Sequence, residues 1–369
     1  MADDSRSARG SHRRGGRRGR RRKASARRKG WRIAAWSTAG VLLLGGAGAG
    51  FLYFKFNGNL TSVDINAALG KNRPANVDNG SMDILVLGSD SRAGANSEYG
   101  RDEGSARSDT AMIVHVNAGH KQASVVSIPR DTMVPRPECA KPGGKTSPAV
   151  KRAQFNEAYS VGGAPCAVKT VEAMTGIRMD HYLEVDFVGF QKLIDQLGGV
   201  KVTTTKAIND RSSHLNLPAG EHVLNGEQSL GLVRTRKSVG DGSDLGRIKL
   251  QQAFIKALLD QIKSVGVFTS PAKLYGLADT ATKAVTTDSE LGSVDKLLEF
   301  ANSLKGIGSG DMHMVTLPVG EDPLDKDRVV PLPEQSRQLW QALNADQPIP
   351  DSVLKDAAGS RTGADGVVK

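Results

Sequence analysis

Apolar residues in this chain come in short blocks with two rhythms. Residues 82–88 (MDILVLG), 111–117 (AMIVHVN) and 123–129 (ASVVSIP) are nearly continuous apolar runs, rich in β-branched side chains and closed by Gly, Asn or Pro. Such runs predict strands buried on both faces. Residues 181–187 (HYLEVDF), 200–204 and 311–318 (DMHMVTLP) read the same way. Between them the period lengthens. Phe187, Phe190, Leu193, Ile194 and Leu197 recur at helical spacing, and Gly198-Gly199 closes that helix. Asn225 can cap a short helix over 226–233. Residues 245–265 carry a broad apolar face with Ile248, Phe254, Ile255, Leu258, Leu259 and Ile262, and 289–304 form a further helix.

Strands alternating with helices over about 240 residues predict an α/β fold, a three-layer α-β-α domain around a central mixed β-sheet. The domain is expected at 82–320, after a polar connector at 55–81 that includes a short helix. A C-terminal extension with a helix follows at 321–345, and the polar stretch 346–369 is expected to be disordered.

Charge changes the picture at the N-terminus. The formal net charge is +11, but residues 1–32 alone hold 14 Lys/Arg against 2 Asp/Glu, leaving a near-neutral body of 36 basic and 37 acidic residues. Residues 33–54 contain no charged residue. As a helix they would reach roughly 33 Å, enough for a hydrocarbon core of about 30 Å. Trp31 and Trp36 flank one end, Phe51, Tyr53 and Phe54 the other, as interfacial aromatics do. A basic block before a single span predicts a cytoplasmic tail at 1–32, expected to be disordered, a transmembrane helix at 33–54 and everything after Lys55 outside the cell. A cleaved signal peptide is the rival reading, but the apolar run is long for one. The tail is thus a topology signal, and no nucleic-acid partner is expected. Cys139 and Cys166 both lie in the exported part, where a pair is expected to be bridged.

Candidate chemistry sits in Asp-Arg clusters at strand ends. GSDSR (88–92) follows the first predicted strand, RSDT (107–110) precedes the second and IPRDT (128–132) closes the third. If the first two strands are antiparallel neighbours, Asp90 and Asp109 converge, and two carboxylates with phosphate oxygens and water are a usual Mg²⁺ environment. Arg234 and Arg236 end a short helix, while Arg247 and Gln251 share a face of the next. Several arginines beside acidic strand ends point to a pyrophosphate, because guanidinium offers a planar fork for bidentate phosphate contacts. Walker A, GxGxxG and GxSxG motifs are absent, and His115 reads as a satisfied sheet residue.

The ordered motifs GSDSR, RSDTAMIVHV, SIPRDT, FNEAYSVGG, DHYLEVDFVGF and VRTRK…DLGRIKLQQ resemble the LytR-CpsA-Psr family of cell-envelope proteins, in its actinobacterial form, over roughly residues 82–264. The resemblance implies a membrane-anchored, extracellular, Mg²⁺- or Mn²⁺-dependent phosphotransferase. It implies transfer of a glycopolymer (teichoic-acid-like, capsular or arabinogalactan-like) from an undecaprenyl-pyrophosphate carrier to the muramyl C6 hydroxyl of peptidoglycan, as a phosphodiester. It places Asp90 and Asp109 at the metal, and Arg92, Arg107, Arg130, Arg234, Arg236, Arg247 and Gln251 around the pyrophosphate. Asp131 and Asp244 match acidic motif positions, with Asp241 an alternative to Asp244. Gln154 stands where the family often has Lys, with Lys151 as a substitute. The isoprenoid tail needs an apolar groove, for which Phe187, Phe190, Leu193, Leu197, Phe254 and Leu258 are candidates. Two other readings stay open: a pyrophosphatase that uses water on the lipid-linked donor, and a non-catalytic envelope or transcription-attenuating regulator.

Overall fold

The computed structural model describes residues 47–48, 50–89, 108–141, 143–236, 239, 242–266, 270–356 and 366–368. The chain divides into two units, Met1–Lys55 and Phe56–Lys369. In the first, residues 50–54 are helical. Most of the expected span lies outside the described residues, and among those no helix is long and apolar enough to cross a membrane.

The second unit is built on seven strands: β1 (Thr61–Val63), β2 (Met82–Ser89), β3 (Ser108–Val116), β4 (Ala123–Ile128), β5 (His181–Asp186), β6 (Val285–Asp288) and β7 (Met312–Thr316). Their order across the sheet is β1-β6-β5-β2-β3-β4-β7. The pairs β2/β3, β3/β4 and β5/β6 are antiparallel, whereas β1/β6, β2/β5 and β4/β7 are parallel, so the sheet is mixed. The main helices are α1 (Phe155–Thr175), α2 (Phe187–Gln196), α3 (Gly226–Arg234), α4 (Asp244–Ser264), α5 (Pro271–Ala284), α6 (Val294–Leu304) and α7 (Pro333–Asn344).

Strand alternation assigns the layers. Leu85, Leu87, Ala111, Ile113, Val126 and Ile128 meet Val168 and Val171 of α1 and Leu339 and Leu343 of α7. On the opposite face Ile84 and Val116 pack with Phe300 and Leu304 of α6. There too, Gln252 of α4 donates to Ser127 Oγ (3.2 Å) and Thr316 Oγ1 (3.3 Å). Helices on both faces explain why the central strands read as continuous apolar runs. A second core lies beside the sheet. There α2, α3 and α4 pack on two hairpins, and Ile194, Val200, Val202, Leu224, Leu232, Leu250 and Phe254 form its centre.

Three expectations need correction. Val200–Thr204 does not join the main sheet; it pairs with Gly220–Leu224 in a separate hairpin. Its Val200 and Val202 are buried and Lys201 is exposed, the pattern of a strand with one wet face. The domain is also wider than 82–320. β1 is an edge of the main sheet, and α7 contributes Leu339, Trp340 and Leu343 to the main core, which buries apolar surface that an appendage would leave wet. The stretch after 346 sends three side chains into the two cores. Val353 is in the main core, while Val367 and Val368 are in the second core and Thr204 bridges Val368.

Cys139 and Cys166 form a disulfide, with Cα atoms 5.5 Å apart. Beside it α1 breaks at Gly162 and Gly163. A Cβ on Gly162 would stand 2.5 Å from the Ala140 carbonyl oxygen and 2.8 Å from Cys166 Cβ, so only glycine fits there. His115 is a satisfied sheet residue: Nδ1 meets Asp83 Oδ1 at 2.9 Å and Nε2 meets Asp346 Oδ1 at 3.1 Å.

Candidate active site

The acidic and basic motifs converge because three chain segments meet at one end of the sheet. Antiparallel pairing sets Ser89, at the end of β2, opposite Ser108, at the start of β3. Asp109 and Thr110 follow Ser108. β4 runs back to the same end, and Arg130 and Asp131 follow Ile128 there. The third segment crosses the opening: α3 ends at Arg234, and α4 begins at Asp244 and carries Arg247 and Gln251 on its buried side. Asn225 caps α3 with a reciprocal box to Gln228, which fixes where that helix starts.

These segments enclose a cavity of about 190 Å³ lined by Asp109, Thr110, Arg130, Phe187, Ser212, Val233, Arg234, Arg236, Arg247 and Gln251. The charges interleave. Arg130 pairs with Asp109 through Nη1, and its backbone N–H donates to Asp244 Oδ2 at 3.3 Å. Asp244 also pairs with Arg247, and Arg236 Nη2 donates to Asp244 Oδ1 at 3.1 Å. Arg247 Nη2 donates to the Asp109 carbonyl oxygen at 2.9 Å. Gln251 Nε2 donates to Thr110 Oγ1 and to the Val233 carbonyl, both at 3.0 Å, and so ties β3 to α3. Arg234 is exposed, its guanidinium carbon 5.0 Å from the centre of the Phe187 ring.

The electrostatics are uneven. Burial opposes the charge of Arg130, yet the carboxylates of Asp109, Asp244 and Asp131 outweigh it and raise its pKa. For Arg247 burial prevails and lowers the pKa, with Arg236 and Arg130 adding repulsion against the pull of Asp244 and Asp109. Both keep their charge at neutral pH, since a guanidinium starts above about 12. Arg130, Arg236 and Arg247 each keep a buried Nε without a hydrogen-bond acceptor. The nearest carboxylate to Arg130 Nε, Asp131 Oδ2, is 3.6 Å away, too far for a hydrogen bond. Buried N–H donors without acceptors are costly unless an anion supplies the missing oxygens.

Of the residues singled out in the sequence, Asp109, Arg130, Arg234, Arg236, Arg247 and Gln251 line this cavity, and Asp131 and Asp244 hold its arginines. Asp90, Arg92, Arg107 and Asp241 lie outside the described residues. The apolar candidates divide. Phe187 lines the cavity, and Phe190, Leu193 and Leu258 are half-buried. Phe254 (1% exposed) and Leu197 (7%) are enclosed in protein, which corrects their assignment to a groove wall; Phe254 is part of the second core. Lys151 is exposed and not among the lining residues.

Two residues escaped the sequence. Arg328 approaches Asp131 Oδ1 through Nη1 at 3.4 Å, and Thr132 bridges Val329 to bring it there. With its amide oxygen turned inward, Gln154 accepts from Arg328 Nη2 (3.0 Å) and Nε (3.1 Å). Asp210 accepts the backbone N–H of Arg236 at 2.9 Å. Nothing near 328 in the sequence carries a motif; the contact is made by a hairpin from beyond the expected domain.

A hard divalent cation takes oxygen ligands, and here Asp109 offers a carboxylate and Thr110 a hydroxyl at the cavity wall. That set fits an ion that also keeps phosphate or water ligands. Among the described residues no group of three or more His, Cys, Asp or Glu could hold a metal by itself.

The LytR_cpsA_psr family model matches residues 52–344, beginning before β1 and ending with α7. The cell wall biosynthesis protein LcpA of Corynebacterium glutamicum is 33% identical over 306 residues, covering 76% of this chain. The chain spans 58% of LcpA's length. TagT of Bacillus subtilis, a polyisoprenyl-teichoic acid–peptidoglycan teichoic acid transferase, is 31% identical over 304 residues, 79% of this chain and 88% of TagT. The solved structure of TagT bound to LIIa-WTA superposes with a TM-score of 0.53 at 25% identity, covering 74% of this chain and 94% of that one. With its ordered motifs, its mixed sheet and its arginine-lined cavity, the chain belongs to the LytR-CpsA-Psr family.

Proposed function

We propose that this chain is a membrane-anchored phosphotransferase acting outside the cell, which moves a glycopolymer from an undecaprenyl-pyrophosphate carrier to the muramyl C6 hydroxyl of peptidoglycan. One observation carries the proposal: three arginines around one cavity each bury an Nε without an acceptor. A diphosphate supplies those acceptors, and each charge-assisted bond contributes roughly 1.5 to 3 kcal/mol. TagT, with its named polyisoprenyl-teichoic acid donor, supports the donor class.

In this reading Arg130, Arg236 and Arg247 clamp the diphosphate, and Arg234 reaches it from the exposed side. Asp109, together with Asp90 of the sequence motif, would hold Mg²⁺ or Mn²⁺, which would supply charge neutralisation at the phosphates. The muramyl hydroxyl attacks the sugar-bearing phosphorus, the new P–O bond forms as the bond to the bridging oxygen breaks, and undecaprenyl phosphate leaves with the hydroxyl proton passing to it or to solvent. The fixed guanidiniums stabilise charge that grows on the transferring and leaving oxygens, the dominant contribution in phosphoryl transfer. Phe187 starts an apolar side of α2, continued by Phe190 and Leu193, on which the isoprenyl chain can lie.

The chain's entry point supports anchoring close to the donor. Thr61 is level with Thr286, Thr286 with Glu184 and Glu184 with Leu87. The residues before Thr61 therefore lead in from the end of the sheet that carries Asp109. The test is to incubate the full chain in detergent with Mg²⁺, a lipid-pyrophosphate-linked sugar and peptidoglycan oligomers, and to seek a sugar-phosphate-muramyl adduct by mass spectrometry. An adduct that Arg247→Ala abolishes is the expected result. Lipid phosphate released without adduct would make the protein a pyrophosphatase, and a donor left intact would make it a binder or regulator.

A further inference from the structure

The N-terminal end of α5 carries an exposed apolar pair with no role in the cavity. Residues 271–275 are all exposed, among them Leu274 at 41% and Tyr275 at 38%. Scattered single hydrophobics on a surface need no explanation. These two are the only consecutive exposed large hydrophobics among the described residues of the second unit, and Lys273 precedes them.

Their position in the fold is what distinguishes them. The Phe56 ring is buried, with its centre 5.5 Å from that of Tyr275. Three residues on, Asn59 donates to Thr282 Oγ1 at 3.2 Å and to Asp279 Oδ1 at 3.4 Å. Then Thr61 pairs with Thr286. The partners rise together, so α5 runs beside the incoming chain in the same direction, and its N-terminal end is level with Phe56. The uncharged stretch 33–54 ends two residues before Phe56.

We infer that the N-terminal end of α5, with Lys273, Leu274 and Tyr275, seats in the interface of the membrane that anchors the chain. The inference rests on the anchoring proposed above. An apolar side chain, an amphipathic ring and a flanking cation are the set that the boundary between acyl chains and headgroups accepts. The seat would reach the catalytic cavity through α2. A Cβ on Gly189 would collide with Ala284, and one on Gly276 with the Gln196 side chain, so α2 and α5 pack antiparallel and in close contact. α2 begins at Phe187, on the cavity wall. Membrane contact at one end of this helix pair would thereby fix the distance from the lipid surface to the arginines at the other.

The test uses the full chain reconstituted in phosphatidylcholine–phosphatidylglycerol vesicles. The two native cysteines are bonded to each other, so Leu274→Cys can be labelled singly with the fluorophore NBD. Leu354→Cys is the reference. Leu354 is exposed and lines a separate cavity with His115, Asn117 and Ala123, at the far end of β3 from Asp109. Spin-labelled lipid is expected to quench position 274 several-fold more than position 354. Equal, weak quenching at both sites, in protein that resists carbonate extraction, would overturn the membrane seat and leave the anchor standing. Protein released by carbonate would remove the anchor, and the seat with it. Because Leu274 is exposed, a folding defect is not expected, and an unchanged melting profile checks this.

Discussion

Asp244 organises the cavity more than any arginine does. It is the first residue of α4, and it binds the Arg130 backbone N–H while pairing with Arg236 and Arg247. Neutralising it leaves three guanidiniums facing one another with less counter-charge. Asp244→Asn is expected to lower stability by about 3 kcal/mol, the scale for breaking a largely buried pair. Millimolar pyrophosphate should restore the melting temperature, because the anion takes the place of the lost carboxylate; a melt indifferent to pyrophosphate would count against the clamp. Arg247→Lys tests geometry instead of charge. Arg247 Nη2 meets both Asp244 and the Asp109 carbonyl while Nε stays free for an anion, and a single ammonium on a shorter side chain offers no second donor at the Nε position. The expected loss in kcat/KM is roughly 10- to 100-fold, from the 1.5 to 3 kcal/mol of one charge-assisted bond, and retention within twofold would sink the assignment. At this scale the sequence was informative wherever a motif stood beside a strand end. It was silent on Arg328 and Asp210, which reach the site from hairpins with no local signature.

Elements were legible where the apolar rhythm was unbroken: β2, β3, β4, β5 and β7, and helices α2, α3 and α4, fall close to their expected limits. The exceptions have physical causes. α1 is interrupted by Gly162, Gly163 and Pro165, so its helical period never shows in one piece. β1 and β6 are three and four residues long, below what alternation can reveal. α5 has few buried residues to mark a face. One contact between elements should respond to pH. Burial opposes the charge of His115 on β3, but its hydrogen bonds to Asp83 and Asp346, and their charges, prevail and raise its pKa. Asp180 stands close by, accepting the Asp83 backbone N–H through Oδ2 at 2.8 Å. A raised folded-state pKa stabilises fully below the unfolded value of about 6.5, and that contribution is lost as pH rises through the folded value. Protection of the amides over 345–356, taken relative to their intrinsic exchange rates at each pH, is therefore expected to fall as pH rises above about 6.5, and His115→Gln to remove most of that fall. A dependence that persists in the variant would place the switch elsewhere.

The second unit rests on two large cores that share α4. α4 gives Gln252 to the main sheet and Leu250 and Phe254 to the second core, so Arg247 is held from both sides. Removing residues 345–369 would take Val353 from one core and Val367 and Val368 from the other. The expected cost is more than about 3 kcal/mol, at roughly 1.5 to 3 kcal/mol for each buried valine. A truncated protein with an unchanged denaturation midpoint would show these contacts to be ornamental. The same seam bears on how the protein comes into being. Val367 and Val368 lie more than a hundred residues downstream of Leu250, yet they close the core on which Leu250 and Phe254 pack. During synthesis the arginines of α4 are made more than a hundred residues before the side chains that brace them. A chain made only as far as α4 would carry the charged motifs on an unfinished second core, so under the function proposed above the cavity is braced only once Val367 and Val368 have been added.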